Sequence, residues 1–181
     1  HNVGRITASP FFVKRLAECI VENKQQIQLE KIFTGGAPVF PHEAAVYNTA
    51  FPNTEINIVY GSTEAEPISS ITVEQLLNRN DSLLNDGLCV GCIFHKTSLR
   101  IIKITAEPIQ CNSNQDFIDM QIKDGEIGEI IVAGDHVLKS YFNNEAAFVQ
   151  NKIVIGKETW HRTGDSGYLG SDGQLFLTGR C

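Results

Sequence analysis

An aromatic ring, a glycine, two hydroxyl groups and a carboxylate occupy five consecutive positions, Tyr60-Gly61-Ser62-Thr63-Glu64. The preceding run, residues 56–59, is mainly branched and apolar and indicates a buried strand. In sheets covered by helices, ligands bind beyond the carboxyl ends of strands, where backbone N–H groups, hydroxyls and a metal-binding carboxylate come together. The five residues therefore predict part of a nucleotide site, and a polar turn after a buried strand is the alternative.

A second segment of this kind lies upstream, Gly35-Gly36-Ala37-Pro38, at the end of a short strand predicted over 29–33. Its two glycines allow the backbone to approach a ligand closely. Between the two segments, Pro41 begins a helix that is expected to end near Phe51. Strand, helix and strand at this spacing are typical of a parallel βαβ unit, so both segments are expected at one edge of the sheet.

A third polar segment near the end of the chain includes His161-Arg162-Thr163-Gly164-Asp165, and Thr178-Gly179-Arg180 follows it. No cysteine or serine nucleophile pattern accompanies His161, so this histidine and Trp160 are interpreted as packing and hydrogen-bonding scaffold. The functional candidates here are Asp165 and Arg180. The alternatives are a turn-capping role for Asp165 and a solvated terminal position for Arg180.

The remaining pattern divides the chain into two expected units. Residues 1–80 form an α/β unit, with a first helix from Pro10 to Lys24 and a short helix that a capping box at Thr72 begins. Residues 81–181 are mainly β, a small barrel-like unit that carries Asp165. Its predicted elements are strands over 88–94, 99–104, 129–133 and 174–177, a turn at Asp86-Gly87, a short helix over 143–149 and an irregular loop over 106–116.

Composition excludes several classes of function. The 181 residues carry a net charge of -6 and show no run of Lys and Arg longer than a pair, which argues against a nucleic-acid partner. The longest run without a polar side chain, residues 87–94, is far shorter than the roughly 20 residues of a spanning helix, so no membrane span is expected. A soluble cytoplasmic protein is the resulting expectation.

The five cysteines are odd in number and irregularly spaced, which favours free thiols in a reducing compartment. Cys89 and Cys92 form a CxxC pair without a second pair at zinc-site spacing, so buried thiols in a strand are favoured over a metal site. The chain begins at His1, and it ends at Cys181 directly after a strand-like run. It is therefore expected to be a piece of a longer protein.

Taken in order, the four segments GGAP, YGSTE, HRTGD-GY and GR resemble the adenylate-forming superfamily of acyl-CoA synthetases, luciferases and nonribosomal-peptide adenylation domains. They extend from Gly35 to Arg180, and their joint order and spacing are far more specific than any one of them. The stretches 60–68 and 87–91, the latter followed by 99–104, resemble the branch of olefin-biosynthesis β-lactone synthetases and long-chain acyl ligases.

The resemblance implies a two-step reaction on a carboxylic acid, a fatty or long-chain acid in the favoured interpretation. The carboxylate attacks the α-phosphorus of ATP to give an acyl-adenylate and pyrophosphate, and the acyl group then passes to an acceptor such as coenzyme A. Tyr60 would stack on adenine, and the backbone of Gly35, Gly36, Ala37 and Pro38 would lie along the base. Gly61 and Ser62 complete this part of the implied nucleotide site.

The remaining roles concern the phosphates and the sugar. The resemblance implies that Thr63 donates its hydroxyl to the α-phosphate and that Glu64 binds Mg²⁺, a hard cation that takes carboxylate and phosphate oxygens together. Thr63 and Glu64 are thus the implied catalytic residues. Asp165 would accept hydrogen bonds from the ribose hydroxyls, and Arg180 would contact the ribose or a phosphate.

The sequence departs from the family pattern at Ser166, where Leu is usual, at Ser140, where Gly is common, and at Cys92-Ile93, where a basic residue and proline often follow. None of these positions has an implied nucleotide contact. The phosphate-binding loop and the C-terminal cap domain, each with a lysine, are expected in other parts of the same protein, so this chain alone is expected to be inactive.

Three questions stay open at this level. The acceptor is coenzyme A, a carrier-protein thiol or an internal hydroxyl that closes a β-lactone. The identity of the acid and the oligomeric state are not specified by these residues. A non-catalytic nucleotide-binding module with the same fold is the alternative from another functional class, and the intact residues Tyr60, Thr63, Glu64, Asp165 and Arg180 argue against it.

Overall fold

Strands and short helices alternate along residues 3–79 and 87–181, the parts of the chain that the computed structural model describes. In chain order the elements are β1 (Arg5–Ala8), α1 (Pro10–Glu22), β2 (Lys31–Gly35), α2 (Pro41–Ala50), β3 (Glu55–Ser62), β4 (Ala65–Thr72), α3 (Val73–Leu77), β5 (Leu88–Ile93), β6 (Ser98–Ile102), α4 (Asn114–Met120), β7 (Gly128–Ala133), α5 (Glu145–Asn151), β8 (Lys152–Ile155), β9 (Glu158–Leu169) and β10 (Gln174–Arg180). None of the helices in these ranges is long and apolar enough to cross a lipid bilayer.

The first three strands form the predicted parallel unit. β2 pairs in parallel with β1 and with β3, so the polar segments that follow β2 and end β3 lie at the same edge of the sheet. Helix α1 begins where Ser9 accepts a hydrogen bond from the N–H of Phe12 and Pro10 occupies the first helical position. Its buried face packs on the sheet through Val13, Ala17 and Ile20. The βαβ prediction is confirmed.

The chain reverses direction after β3. Strand β3 continues to Ser62 and β4 begins at Ala65, so Thr63 and Glu64 form the turn of an antiparallel hairpin rather than an open loop. Strand β4 was not predicted, because it contains Pro67 and proline is disfavoured inside a strand. A register shift between Tyr60 and Ser62 interrupts the ladder opposite Pro67, where a residue without an N–H is tolerated.

One mixed sheet continues through both predicted units in the strand order β1-β2-β3-β4-β5-β10-β9-β7-β6, with β8 paired to β9. Strand β4 joins the halves because Ser69 and Ser70 pair with Ile93 and Cys92 of β5. The cores also cross the boundary, since Ala65 packs with the second half and Cys89 with the first. Among the described residues the pairings form an open path, so the barrel-like description is not confirmed, and the division at 80 and 81 stays a prediction.

The second half contains more regular structure than predicted. The predicted strands correspond to β5, β6, β7 and β10, whereas β8 and β9 were not anticipated. The irregular loop predicted over 106–116 was wrong at its end, because a capping box formed by Ser113 and Asp116 begins α4. Helix α5 is capped by Asn144, one residue later than predicted. The turn predicted at Asp86-Gly87 includes Asp86, which lies outside the described residues.

Strand β9 is held by a buried ion pair. The guanidinium of Arg162 makes three contacts with the Glu129 carboxylate on β7, at 3.1, 3.1 and 2.6 Å, and both side chains are almost fully buried. It also donates to the backbone carbonyls of Thr105 (2.6 Å), Glu107 (2.9 Å) and Gln150 (3.3 Å). One side chain thus fastens β9 to its neighbouring strand, to the segment after β6 and to the end of α5.

The neighbours of Arg162 on β9 are polar and buried as well. Thr163 donates its hydroxyl to the carbonyl of Ile130 (2.9 Å), and the same oxygen accepts the N–H of Asp165 (3.0 Å). His161 is 4% exposed, and its Nδ1 donates to the carbonyl of Asn151 (3.4 Å). Burial, together with the positive charge of Lys152, lowers the pKa of His161 to about 4, so the ring is neutral at pH 7.

Replacing Arg162 by Met should lower the free energy of unfolding by about 3–5 kcal/mol, because Glu129 would keep a buried charge without its cationic partner. Urea unfolding followed by circular dichroism measures this change. The control is Arg15→Met, which breaks the surface pair of Arg15 and Glu18 and should cost about 1 kcal/mol or less. Equal losses in the two variants would contradict the role given to Arg162.

His161 should make the free energy of unfolding depend on pH between about 6.5 and 4. In this range the unfolded chain binds a proton at this histidine and the folded chain does not, so stability is full above pH 6.5 and falls as the pH decreases. The whole effect is on the order of 3 kcal/mol, from the shift of the pKa between 6.5 and about 4.

The measurement is urea unfolding at a series of pH values for the original protein and for His161→Gln. The variant should lose less stability on acidification. The control, His42→Gln at the exposed start of α2, should follow the original pH profile. Identical profiles for all three proteins would show that His161 is not buried in its neutral form.

Candidate functional site

A cavity of about 360 Å³ brings together most of the residues singled out in the sequence. It lies between the segment after β2, the end of β3, and the adjoining parts of β9 and β10. The predicted residues that line it are Gly36, Ala37, Pro38, Tyr60, Gly61, Ser62, Asp165 and Arg180. Leu88, Cys89 and Val90 of β5 provide a further wall. A larger cavity of about 660 Å³, between the ends of α1 and α2, contains none of the predicted residues.

The last residue of β2 and the residue after it both require glycine. A β-carbon at Gly35 would lie 2.5 Å from the carbonyl oxygen of Val59, so any side chain there would force β2 and β3 apart. Gly36 has a φ of 85°, a conformation that residues with side chains disfavour, and no atom of the described residues beyond its chain neighbours lies within 4 Å of the position that a β-carbon would take. Gly35 thus closes the strand pair beside the cavity, and Gly36 exposes bare backbone to the cavity.

Tyr60, Asp165 and Arg180 meet at the opposite side of the cavity. The Tyr60 hydroxyl donates to Oδ2 of Asp165 (2.7 Å), across 105 positions of sequence, and Arg180 Nη1 donates to Oδ1 (2.6 Å). Arg180 also donates to the carbonyl of Thr163 (3.2 Å). Burial, and secondly the charge of Asp165, raise the pKa of Tyr60, so its phenol stays protonated. The hydrogen bond to Asp165 raises the pKa of Arg180.

Ser62 offers this cavity an unpaired hydroxyl. Its oxygen is buried and has no hydrogen-bond partner among the described residues. Buried polar atoms in proteins are nearly always paired, with protein groups, water or a ligand. Ser62 is therefore a position at which a bound molecule can add a hydrogen bond that the chain does not make for itself.

Thr63 and Glu64 lie at the hairpin turn directly after Ser62 and are not among the residues that line the cavity. Thr63 is exposed. Glu64 is partly buried: its Oε1 accepts a hydrogen bond from the Tyr141 hydroxyl (3.3 Å), and its Oε2 lies 4.0 Å from Nε2 of His161. Most of the predicted residues thus line the cavity, whereas Glu64 belongs to an adjoining polar cluster.

This cluster, Glu64 with Tyr141, Lys152 and His161, contains residues that the sequence motifs did not identify as functional. Burial raises the pKa of Tyr141 and lowers that of Lys152 to about 8, and the negative charge of Glu64 opposes the second shift. Tyr141 and Lys152 belong to segments without a motif of their own, so no spacing rule connects them to Glu64. The pairing of β8 with β9 places Lys152 beside His161, and the Tyr141 hydrogen bond connects the other residue to Glu64.

The donor set of the cluster suits a magnesium ion shared with a ligand better than a closed metal site. Within residues 3–79 and 87–181 there is no group of three or more His, Cys, Asp and Glu side chains that could hold a metal ion. Mg²⁺ is commonly bound through one or two carboxylates, with phosphate oxygens and water as the other ligands. Glu64 at an accessible turn is compatible with that arrangement.

The model of the AMP-binding enzyme family matches residues 1–142 of the chain. The olefin beta-lactone synthetase of Stenotrophomonas maltophilia is 30% identical, over 99% of this chain and 32% of the relative. The 4-coumarate:CoA ligase 1 of Petunia hybrida is 27% identical, over 97% of this chain and 30% of the relative. The chain therefore spans about a third of the length of the curated relatives it matches.

Solved structures show the same fold. The amide bond synthetase of Marinactinospora thermotolerans superimposes with a TM-score of 0.73 at 23% identity, over 97% of this chain and 31% of the other. The O-succinylbenzoate coenzyme A synthetase of Bacillus subtilis, solved with AMP and also with ATP and magnesium, gives 0.71 at 23% identity, over 99% of this chain and 32% of the other.

The expected resemblance is confirmed by the family match and by the mixed sheet with helices that these enzymes share with the chain. The matched region contains the segment after β2, the hairpin turn and the Tyr141 part of the polar cluster. The chain belongs to the AMP-binding enzyme family, within the adenylate-forming superfamily.

Proposed function

We propose that the protein containing this chain activates a carboxylic acid with ATP and then passes the acyl group to an acceptor. In the first step a carboxylate oxygen bonds to the α-phosphorus, the bond from that phosphorus to the bridging oxygen breaks, and pyrophosphate leaves with the electron pair. The observation that carries this proposal is the convergence of the four motifs on one cavity, where the contacts of Tyr60 and Arg180 with Asp165 join three of them directly.

The cavity residues are assigned to the nucleoside. The Tyr60 ring stacks on the base, a contact that needs no base-specific hydrogen bond. The backbone of Gly35, Gly36, Ala37 and Pro38 lies along the base, because bare backbone at Gly36 permits close approach. Gly61 and Ser62 adjoin the base at the end of β3, where the free Ser62 hydroxyl provides a hydrogen bond.

Asp165 and Arg180 are assigned to the ribose. A carboxylate acceptor makes each hydrogen bond from a sugar hydroxyl stronger than a neutral acceptor would, at about 1.5–3 kcal/mol. Arg180 is well placed to reach the sugar or a phosphate, since its side chain is 73% exposed and is tied only at its guanidinium.

The hairpin turn is assigned to the phosphates. Thr63 donates its exposed hydroxyl to the α-phosphate, and Glu64 holds magnesium together with phosphate oxygens. When bound, the metal spreads the negative charge that develops on the phosphoryl oxygens. The contact with Tyr141 orients Glu64 before the ligand binds, so that little reorganisation of this carboxylate accompanies the reaction.

The finer assignment is a fatty or long-chain acid with coenzyme A as acceptor. The relatives that support it include an olefin beta-lactone synthetase and 4-coumarate:CoA ligases, whose names imply different second steps. A β-lactone synthetase-type reaction on a hydroxy acid is thus the second candidate. The phosphate-binding loop and the cap domain are proposed to come from other parts of the protein.

Replacing Glu64 by Gln should reduce ATP–pyrophosphate exchange by about 100-fold, because the amide removes the charge that binds magnesium while keeping the size of the side chain. The assay uses the protein at its natural length with a panel of carboxylic acids. Glu66→Gln, an exposed carboxylate on the same hairpin, is the control and should leave the rate unchanged. Nucleotide binding without exchange for any acid would favour a non-catalytic module instead.

Asp165 can be tested with a matched pair of nucleotides. ATP should bind the original protein more tightly than 2′-deoxy-ATP, by about 10-fold or more, because the deoxy sugar loses a charge-assisted hydrogen bond. In Asp165→Asn the difference between the two affinities should be smaller, because the neutral amide is a weaker acceptor for the 2′-hydroxyl than the carboxylate. Calorimetric titration measures both affinities, and Asp172→Asn at an exposed turn is the control. An undiminished preference for ATP in Asp165→Asn would place the ribose elsewhere.

A further inference from the structure

Lys152 is a charged residue in an unusual position. It is the first residue of β8 and is only 3% exposed, although a lysine buried without partners is strongly unfavourable. Its Nζ donates to the backbone carbonyl of Leu138 (2.5 Å) and lies 5.2 Å from the centre of the Tyr141 ring. Both partners belong to the segment 134–144, which connects β7 to α5.

The same segment holds the Glu64 turn. The N–H of Leu138 donates to the backbone carbonyl of Glu64 (2.7 Å), and the Tyr141 hydroxyl donates to the Glu64 carboxylate (3.3 Å). Leu138 therefore accepts from Lys152 and donates to Glu64, while Tyr141 contacts Lys152 with its ring and Glu64 with its hydroxyl. Two short relays therefore lead from one buried ammonium group to Glu64, one to its backbone carbonyl and one to its carboxylate.

We infer that Lys152 is a positioning residue for Glu64, which it acts on by fixing segment 134–144 against the hairpin turn. The inference rests on the proposed function, because it assumes that Glu64 binds the magnesium of a bound nucleotide. Lys152 itself touches neither metal nor nucleotide in this role. It keeps the backbone and the carboxylate of Glu64 in one orientation.

The charge of Lys152 and its contacts with segment 134–144 have opposite effects on the affinity for Mg²⁺. A nearby ammonium repels a divalent cation, so its removal on electrostatic grounds alone would tighten magnesium binding. Loss of the tether would weaken magnesium binding, because groups that orient a metal ligand typically contribute about 10–100-fold to affinity. The sign of the change therefore separates positioning from simple electrostatics.

The test is calorimetric titration of ATP, with and without Mg²⁺, into the protein at its natural length and into Lys152→Met. Positioning predicts that the affinity for ATP with Mg²⁺ falls by about 10-fold or more, while the affinity for ATP without Mg²⁺ changes little. Thermal melting followed by circular dichroism establishes that the variant is folded at the titration temperature. Lys152→Gln, which keeps a donor without the charge, serves as the second variant if Lys152→Met does not fold.

Lys139→Met is the matched control. Lys139 also donates to a backbone carbonyl, that of Gly134 (2.6 Å), but it is exposed and its contact stays within its own segment. Its replacement should leave both affinities unchanged. A double variant adds a second check: Lys152→Met should cause no further loss of affinity in a Glu64→Gln background, because Lys152 acts through Glu64.

Three results would overturn the inference. Unchanged or tighter magnesium-dependent binding in Lys152→Met would exclude positioning. An equal loss of affinity for ATP with and without Mg²⁺ would show that Lys152 has a purely structural role. An additive loss in the Glu64→Gln background would show that Lys152 acts independently of Glu64. If the original protein itself binds no ATP in the presence of Mg²⁺, the proposed function fails, and this outcome is distinct from the other three.

Discussion

The guanidinium of Arg162 occupies a point where β9, β7, the segment after β6 and the end of α5 meet, and the position of the Asp165 carboxylate depends on it. Its contacts with Glu129 and with three backbone carbonyls leave its donors well paired in a space that excludes water. Thr163, the next residue, then holds the N–H of Asp165. Asp165 must be held firmly at this point because it meets Tyr60 of β3, which the sheet order separates from β9 by β4, β5 and β10.

The hairpin of β3 and β4 has a second structural role. It changes the sheet from parallel to antiparallel, and it links the helical half to the strand-rich half through Ser69 and Ser70. The turn of this hairpin is also where Glu64 meets the segment between β7 and α5. A single change of chain direction thus determines both the continuity of the sheet and the separation of the cavity from the polar cluster.

Local signals predicted the residues around the cavity well. The glycines at the end of β2 and the five residues that span the end of β3 and its turn could be located because turn chemistry and strand periodicity are visible within short windows. The side-by-side placement of β2 and β3 followed from the handedness and shortness of parallel connections. The placement of Asp165 and Arg180 in the same site came from the family resemblance that the order of motifs carries, and their contacts with each other and with Tyr60 were not predicted.

The parts that escaped prediction depend on pairing between distant residues. Strand β9 reads as a polar, glycine-containing loop because its buried polar side chains are paired with groups far away in sequence, Arg162 with Glu129 for example. Strand β4 was not predicted because it contains Pro67, and proline is disfavoured inside strands. A register shift in the pairing of β3 with β4 accommodates this proline. Lysine is usually a surface residue, so no local pattern indicates that Lys152 is buried. Its burial depends on the Leu138 carbonyl, which accepts its hydrogen bond, and on the Tyr141 ring beside it.

The contacts of Asp165 with Tyr60 and Arg180 have a consequence for the energetics of the proposed sugar binding. Each carboxylate oxygen has about two lone-pair directions, and one donor already occupies each oxygen. The remaining lone pairs can accept hydrogen bonds from two neighbouring hydroxyl groups. The two existing contacts already hold the side chain in one rotamer. Ordering a flexible side chain on association costs roughly 0.5–1.5 kcal/mol. The chain loses this conformational entropy when it folds, so a bound diol meets an acceptor that is already ordered.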